Sequence, residues 1–255
     1  MRVFSHLTLK PFSLFFFIFF GLMVLAYTQS TYAAPEPIGQ MVWVKGSVQA
    51  VTATNETRTL QRRSPVYERD TIVTSAAGSG QIVFSDKSMV ALRSSTTFKI
   101  DQYKFNQSSK NNAYVVSLAK GGFRIITGLI SKGNPENYRV RTPVATIGVR
   151  GTDFTIFYSR SSGLATSLSK GIIVIVNEAG EIELNEKMNR MYAEISGLRT
   201  MPVIKSSPSP TLKGQPQIIS SVMSPSSFDG GSSTAPARMN VPSGPSRTVS
   251  GFCIN

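Results

Sequence analysis

The sequence is poor in the residues most enzymes rely on. It holds one histidine, His6, and one cysteine, Cys253, in 255 residues. His6 lies ahead of an apolar run, in a segment expected to be removed on export. The mature chain would then have no histidine, which excludes Ser-His and Cys-His nucleophile systems and histidine-ligated metals. A single cysteine excludes an internal disulfide and a cysteine-held zinc, so a packed core must hold the fold. Cys253 is read as an exposed, inert thiol on a tail, with an intermolecular disulfide as the alternative. Negative charge is scarce as well: 14 Asp and Glu stand against 27 Lys and Arg, a formal net charge of +13. Removing Arg2 and Lys10 with the leader leaves +11.

Long apolar runs are absent after the first. Arg2 and Lys10 precede an apolar stretch from Phe12 to Tyr27, and Thr31-Tyr32-Ala33-Ala34-Pro35 follows. That order reads as a secretory signal peptide cleaved after Ala33, with Thr31 and Ala33 at the small-residue positions. The run of about 16 residues is short of the roughly 20 that span a bilayer. An N-terminal anchor in the inner membrane is the alternative. At the other end, 26 of the 56 residues from Thr200 onward are Ser, Pro or Gly. So little apolar area cannot offset about 1–2 kcal/mol of backbone entropy per residue, and 200–255 is read as a disordered tail.

What remains, 34–199, is all-β in pattern. Strand-like runs recur every 8–12 residues, split by glycine turns, and no segment keeps helical spacing for three turns. The architecture is a β-solenoid-like roll or a β-sandwich of many short strands. In 80–86, Ile82 and Phe84 are expected on one face and Gln81, Val83 and Ser85 on the other. Ile172 to Val176 is apolar on both faces, so both are expected to be covered.

No catalytic, cofactor-binding or metal site is expected. Glu181 and Glu183 would share a strand face about 7 Å apart, within reach of a glycosidase pair, but fit a solvated strand face better. Ser167-Leu168-Ser169-Lys170 matches a Ser-x-x-Lys pattern without its companion motifs or the helix it needs. No nucleotide-binding loop is present. The basic balance favours anionic partners; export argues against nucleic acid and for lipid headgroups or anionic glycans.

The most informative stretch is RTPVATIGVRGTDF, residues 141–154. Pro143 is expected to start or edge a strand. Gly148 and Gly151 allow tight backbone on either side of Arg150. Arg150 would clip a corner between two strands, paired with Asp153 or another carboxylate. The alternative is that Arg150 grips an anionic ligand.

This stretch resembles the signature of the FecR domain at Thr142, Pro143, Val149, Arg150, Gly151, Thr152 and Phe154. Upstream, VYERDTIVTSAAGSGQIVFSDKSMVAL is similar to the family at Asp70, Thr74, Phe84, Asp86 and Ser88. Arg69 and Lys87 stand where the family usually has glycine, so those two turns are expected to differ. Residues 180–195 are similar to the family's late hairpin, and the resemblance extends over roughly 40–195. It implies a β-rich periplasmic module. The best-known members relay a signal from an outer-membrane receptor to a sigma factor, through a cytoplasmic segment ahead of one membrane span. Only about ten residues precede the apolar run here, so neither the sigma-factor contact nor the iron-uptake role is expected to carry over. The expectation is a non-enzymatic, exported binding or sensing module without a cofactor. Its partner would be an envelope or membrane protein, held on a sheet face or added at an exposed edge. The alternative is an envelope-structural protein that binds peptidoglycan or another anionic polymer.

Overall fold

The computed structural model describes residues 35–214 and Ile218. The expected signal peptide, Cys253 and most of the expected tail lie outside the described residues. Fifteen strands form one branched sheet. In chain order they are β1 (Gly39–Lys45), β2 (Val48–Val51), β3 (Thr57–Thr59), β4 (Pro65–Val66), β5 (Thr71–Thr74), β6 (Ser79–Phe84), β7 (Met89–Leu92) and β8 (Thr97–Lys104). Then come β9 (Ala113–Ile126), a one-turn helix α1 (Leu129–Gly133), β10 (Tyr138–Arg141), β11 (Thr146–Ser159), β12 (Gly163–Asn177), β13 (Gly180–Asn185), β14 (Tyr192–Ile195) and β15 (Val203–Lys205).

The branching has a simple cause. Each of β9, β11 and β12 bends near its middle, and its two halves pair with different neighbours. The sheet therefore folds over on itself. The first row runs β3-β2-β5-β8-β9-β10-β11-β12-β13, and the second runs β4-β1-β6-β7-β9-β11-β12-β14-β15. The three bent strands belong to both rows. All pairings are antiparallel except β9 with β10, because the chain leaves β9 in the second row and returns to the first through α1.

The rows pack face to face, which makes the fold a sandwich built from one rolled sheet. Phe98 on β8 meets Phe123 on β9 edge-on at 5.2 Å, and Phe84 on β6 meets Tyr114 on β9 in the same way at 5.2 Å. Such pairs add about 0.5–1.5 kcal/mol each beyond the area they bury. One continuous apolar cluster runs from Met41 to Ile195. The core closes within the described residues, so 35–214 form a self-sufficient folding unit.

Several expectations change. Residues 203–213 belong to the domain, not to the tail: β15 pairs with β14, and Leu212 is buried against β11 and β12. The Arg93 guanidinium anchors them by donating to the Thr211 and Lys213 carbonyls at 2.9 and 3.1 Å. A few apolar residues suffice there because an existing sheet face receives them. Residues 180–195 are not an extended hairpin: they bridge each other only at Asn185 and Arg190, and β13 and β14 both pair with β12, one in each row. Both faces of β6 are buried, Gln81 and Val83 included, because it is an interior strand with Trp43 of β1 beside Gln81. For 172–176 the change runs the other way. Ile173 and Ile175 are buried, but Ile172 and Val174 are half-exposed and Val176 is 41% exposed.

Candidate functional site

The bends of the three long strands share one local sequence, a basic residue followed by glycine: Lys120-Gly121, Arg150-Gly151 and Lys170-Gly171. The glycines have φ of 83°, 59° and 91°, a region that costs other residues roughly 1–2 kcal/mol. A Cβ on Gly171 would also sit 2.3 Å from the Gly151 carbonyl oxygen, whereas one on Gly151 would meet nothing within 4 Å. Gly171 is thus needed for space and conformation, Gly151 for conformation alone.

Around the middle bend, the 141–154 stretch resolves into distinct parts. The Thr142 hydroxyl accepts from the Ala145 N–H at 3.1 Å and donates to its carbonyl at 2.9 Å. This closes a tight turn between β10 and β11, and Pro143 sits exposed inside the turn rather than on a strand. Val149 and Phe154 point into the core on either side of the bend. Thr152 is buried, and its N–H donates to the Thr127 hydroxyl at 2.8 Å.

Arg150 departs from expectation. It is exposed and makes no ion pair or side-chain hydrogen bond among the described residues. Asp153 belongs instead to Arg124, which grips it with two bonds, Nε to Oδ1 at 2.9 Å and Nη2 to Oδ2 at 2.7 Å. The pairing of β11 with β12 shifts register between Arg150 and Asp153, so the carboxylate turns toward β9 in the second row. The hydrogen bonds to Asp153 hold the Arg124 guanidinium above its ordinary value. Lys120, Lys170 and Arg160 also lack carboxylate partners among the described residues. Lys120, Pro143, Phe157 and Arg160 line an open cleft of about 500 Å³.

The upstream residues hold turns. Asp70, buried, pairs with Arg58 and accepts from the Tyr67 N–H at 2.8 Å. The Thr74 hydroxyl donates to the Arg93 carbonyl at 2.6 Å and accepts from the Thr96 N–H at 2.9 Å. Asp86 receives the Ser88 hydroxyl and N–H at 2.8 and 3.1 Å, while the Ser88 hydroxyl accepts from the Gly128 N–H ahead of α1 at 2.9 Å. Burial pushes the Asp86 carboxyl above its usual range, against those hydrogen bonds. Its neighbour Tyr103 is pushed up by the same burial and by the Asp86 charge. Arg69 and Lys87 keep the glycine conformation, with φ of 69° and 70°. The substitutions leave the turns intact and put the cost in backbone energy.

The sequence also raised sites for chemistry. Glu181 and Glu183 are exposed on one face of β13. Ser167 is buried in β12 while Lys170 lies past its last β14 contact, so the Ser-x-x-Lys stretch has no helical geometry. Among the described residues no group of His, Cys, Asp and Glu could hold a metal, and no helix is long and apolar enough to cross a membrane.

Sequence reasoning missed the open surfaces, which depend on strand order. Four strands end the two rows. β4 is two residues long with Pro65 in it, β3 reads Thr-Arg-Thr, and β13 carries Glu181 and Glu183. These are the usual devices that protect a sheet edge. β15 is as short as β3, follows Pro202 and ends in Lys205, but it differs from the other three in exposing two apolar side chains, Val203 and Ile204, at 48% and 37%.

Residues 70–174 match the model of the FecR protein family. The chain carries a FecR domain. The match is narrower than the 40–195 expected, leaving out β1–β4 and β13–β15. The domain match supports a signalling or sensing role. Two crystal structures of a candidate anti-sigma factor from Parabacteroides distasonis ATCC 8503, at 2.50 and 1.65 Å resolution, are similar to it. Each is 18% identical, with a TM-score of 0.43 over 53% of this chain and 58% of that one. The chain thus spans less than two thirds of that protein's length. No curated protein matches the chain.

Proposed function

We propose that this FecR-domain protein is an exported binding or sensing module of cell-envelope signalling, acting through contact with another envelope protein and without catalysis. The observation that carries the contact is the open edge at β15. The strand pairs only with β14, its second edge is unpaired among the described residues, and Val203 and Ile204 stand exposed on it. An extended segment of a partner would add there as a further strand, with main-chain hydrogen bonds for affinity and Val203 and Ile204 for selectivity. Export rests on the N-terminal sequence and is tested by cell fractionation, with the periplasm as the expected compartment.

The test is in-cell photo-crosslinking from a probe at Ile204, with exposed Glu56 as control. A specific envelope protein captured from position 204 alone, and lost when Val203→Pro is added to the probe-bearing chain, is the expected result. Equal capture from both positions would overturn the reading.

A second reading is supported by unpaired cations at two of the bends and in the β11–β12 turn. Arg150, Lys120 and Arg160 would hold an anionic glycan or lipid headgroup. Arg150→Ala would then abolish salt-sensitive binding to isolated cell-wall polymer and leave the melting temperature unchanged. Unaltered binding in that variant would remove it.

A further inference from the structure

The outer face of the first row carries two register-matched lines of side chains across four strands. Arg141 lies opposite Thr146, Thr146 opposite Val176, and Val176 opposite Glu181. One step along, Arg139 lies opposite Gly148, Gly148 opposite Val174, and Val174 opposite Glu183. Each line therefore reads cation, small residue, valine, carboxylate, from β10 to β13. All four charged ends are exposed. Within one chain they cannot meet. Three strand spacings separate Arg141 from Glu181, about 14 Å, well past the roughly 8 Å over which exposed charges interact at physiological salt. None of these side chains forms an ion pair among the described residues. No described segment covers the valines between them, and Val176 stays 41% exposed.

We propose that this face docks a second copy of the same chain. A two-fold axis parallel to the strands, midway between β11 and β12, sets β10 over the β13 of the other copy and β11 over its β12. Because the axis preserves position along the strands, each line falls on its own copy reversed. Arg141 then faces Glu181 and Arg139 faces Glu183, twice each. Gly148 faces Val174. A Cβ on Gly148 would meet only the Val174 carbonyl oxygen, at 3.9 Å, so the glycine leaves a notch over the sheet. The valine of the second copy fills that notch. A surface that is its own complement in this way is the requirement for a closed two-fold dimer. This face is distinct from the β15 edge and does not depend on it. Four strands give a small interface, at the weak end of specific contacts, with a Kd of about 10–100 µM expected.

Arg141→Glu and Glu181→Arg provide the test, measured by sedimentation equilibrium on 35–214. The parent chain should dimerise. Each variant alone should lose at least tenfold in affinity, since both 141–181 contacts become Glu on Glu or Arg on Arg while the two Arg139–Glu183 contacts remain. Mixed one to one, the two variants should form a heterodimer of about parental affinity, because both cross-contacts then pair Glu with Arg. Unchanged melting curves establish that each variant is folded. A parent chain that stays monomeric at about 1 mM overturns the proposal, and so does a mixture that stays monomeric. Crosslinking from Val174 to a different protein, with a monomeric parent, also overturns it while leaving the β15 reading intact. Loss of capture at Ile204 with the dimer preserved does the reverse.

Discussion

On the outer face of the second row, Arg124 and Asp153 stand on neighbouring strands and close a two-bond ion pair. Thr155, Ala165 and Ser167 are buried on that face, and Leu212 of the returning C-terminal segment lies against it. On the outer face of the first row, Arg141 and Glu181 stand three strands apart, and the valines between them are uncovered. Both faces belong partly to the same strands, β9, β11 and β12. Strand composition therefore does not decide which face is closed. The bends decide it, by setting which neighbours each half-strand receives. The closed face spends its charges on its own stability, and the open face keeps them for contact.

The largest expected effect tests the closed face. Leu212→Asp should remove the cover and destabilise the domain by about 2–3 kcal/mol in urea unfolding. Val174→Asp puts the same charge on the open face and should cost under about 0.5 kcal/mol. Equal costs would mean that the open face is covered by something outside the described residues. Arg124→Ala strands a part-buried carboxylate and should cost about 2 kcal/mol, less than a fully buried pair because both partners keep some exposure. Arg141→Ala should leave the melting temperature unchanged. A large loss there would show a structural role for that arginine within one copy.

The inner layers were legible in the sequence and the outer ones were not. Alternation located most of the strands, and the Pro and Gly punctuation in 141–154 located the corner at Gly151. The motif around Arg150 identified the domain. Pairing was beyond reach: Asp153 is the nearest acid in sequence to Arg150, yet a register shift across Gly151 gives it to Arg124. Ile172 to Val176 failed for a related reason. A continuous apolar run means cover on both faces only if something is available to cover it, and a run used for assembly looks the same. Arg69 and Lys87 show the limit of glycine as a turn marker, since the turn persists without it. Residues 203–213 read as tail by Ser and Pro content, yet the β15–β14 pairing, one buried leucine and an arginine clamp hold them on the domain.

Asp86 gives a smaller effect, visible through pH. Its folded-state pKa is raised by burial, so the native state holds the proton more tightly than the unfolded chain. The contribution is therefore fully present below the unfolded value and is lost as pH rises through the folded one. Asp86→Asn cannot titrate. The parent chain should gain stability relative to the variant as pH falls from 7 toward 4, measured by paired urea titrations. A gap between them that is constant with pH would mean that Asp86 is not protonated more readily in the fold.

The smallest effect is the most discriminating, because two measurements should move in opposite directions. Gly148 has ordinary strand backbone and open space over it. Gly148→Ala should therefore stabilise the monomer by about 0.5 kcal/mol, through the entropy the unfolded chain loses. The same change at Gly122, on the other row, would place a Cβ 2.5 Å from the Ile156 carbonyl oxygen and should destabilise. If the open face is a dimer interface, the methyl of Gly148→Ala fills the notch that receives Val174. Dimerisation should then weaken several-fold while the melting temperature rises. A rise in both would leave the face open but remove Gly148 from the contact, and would shift the two-fold axis away from the line between β11 and β12.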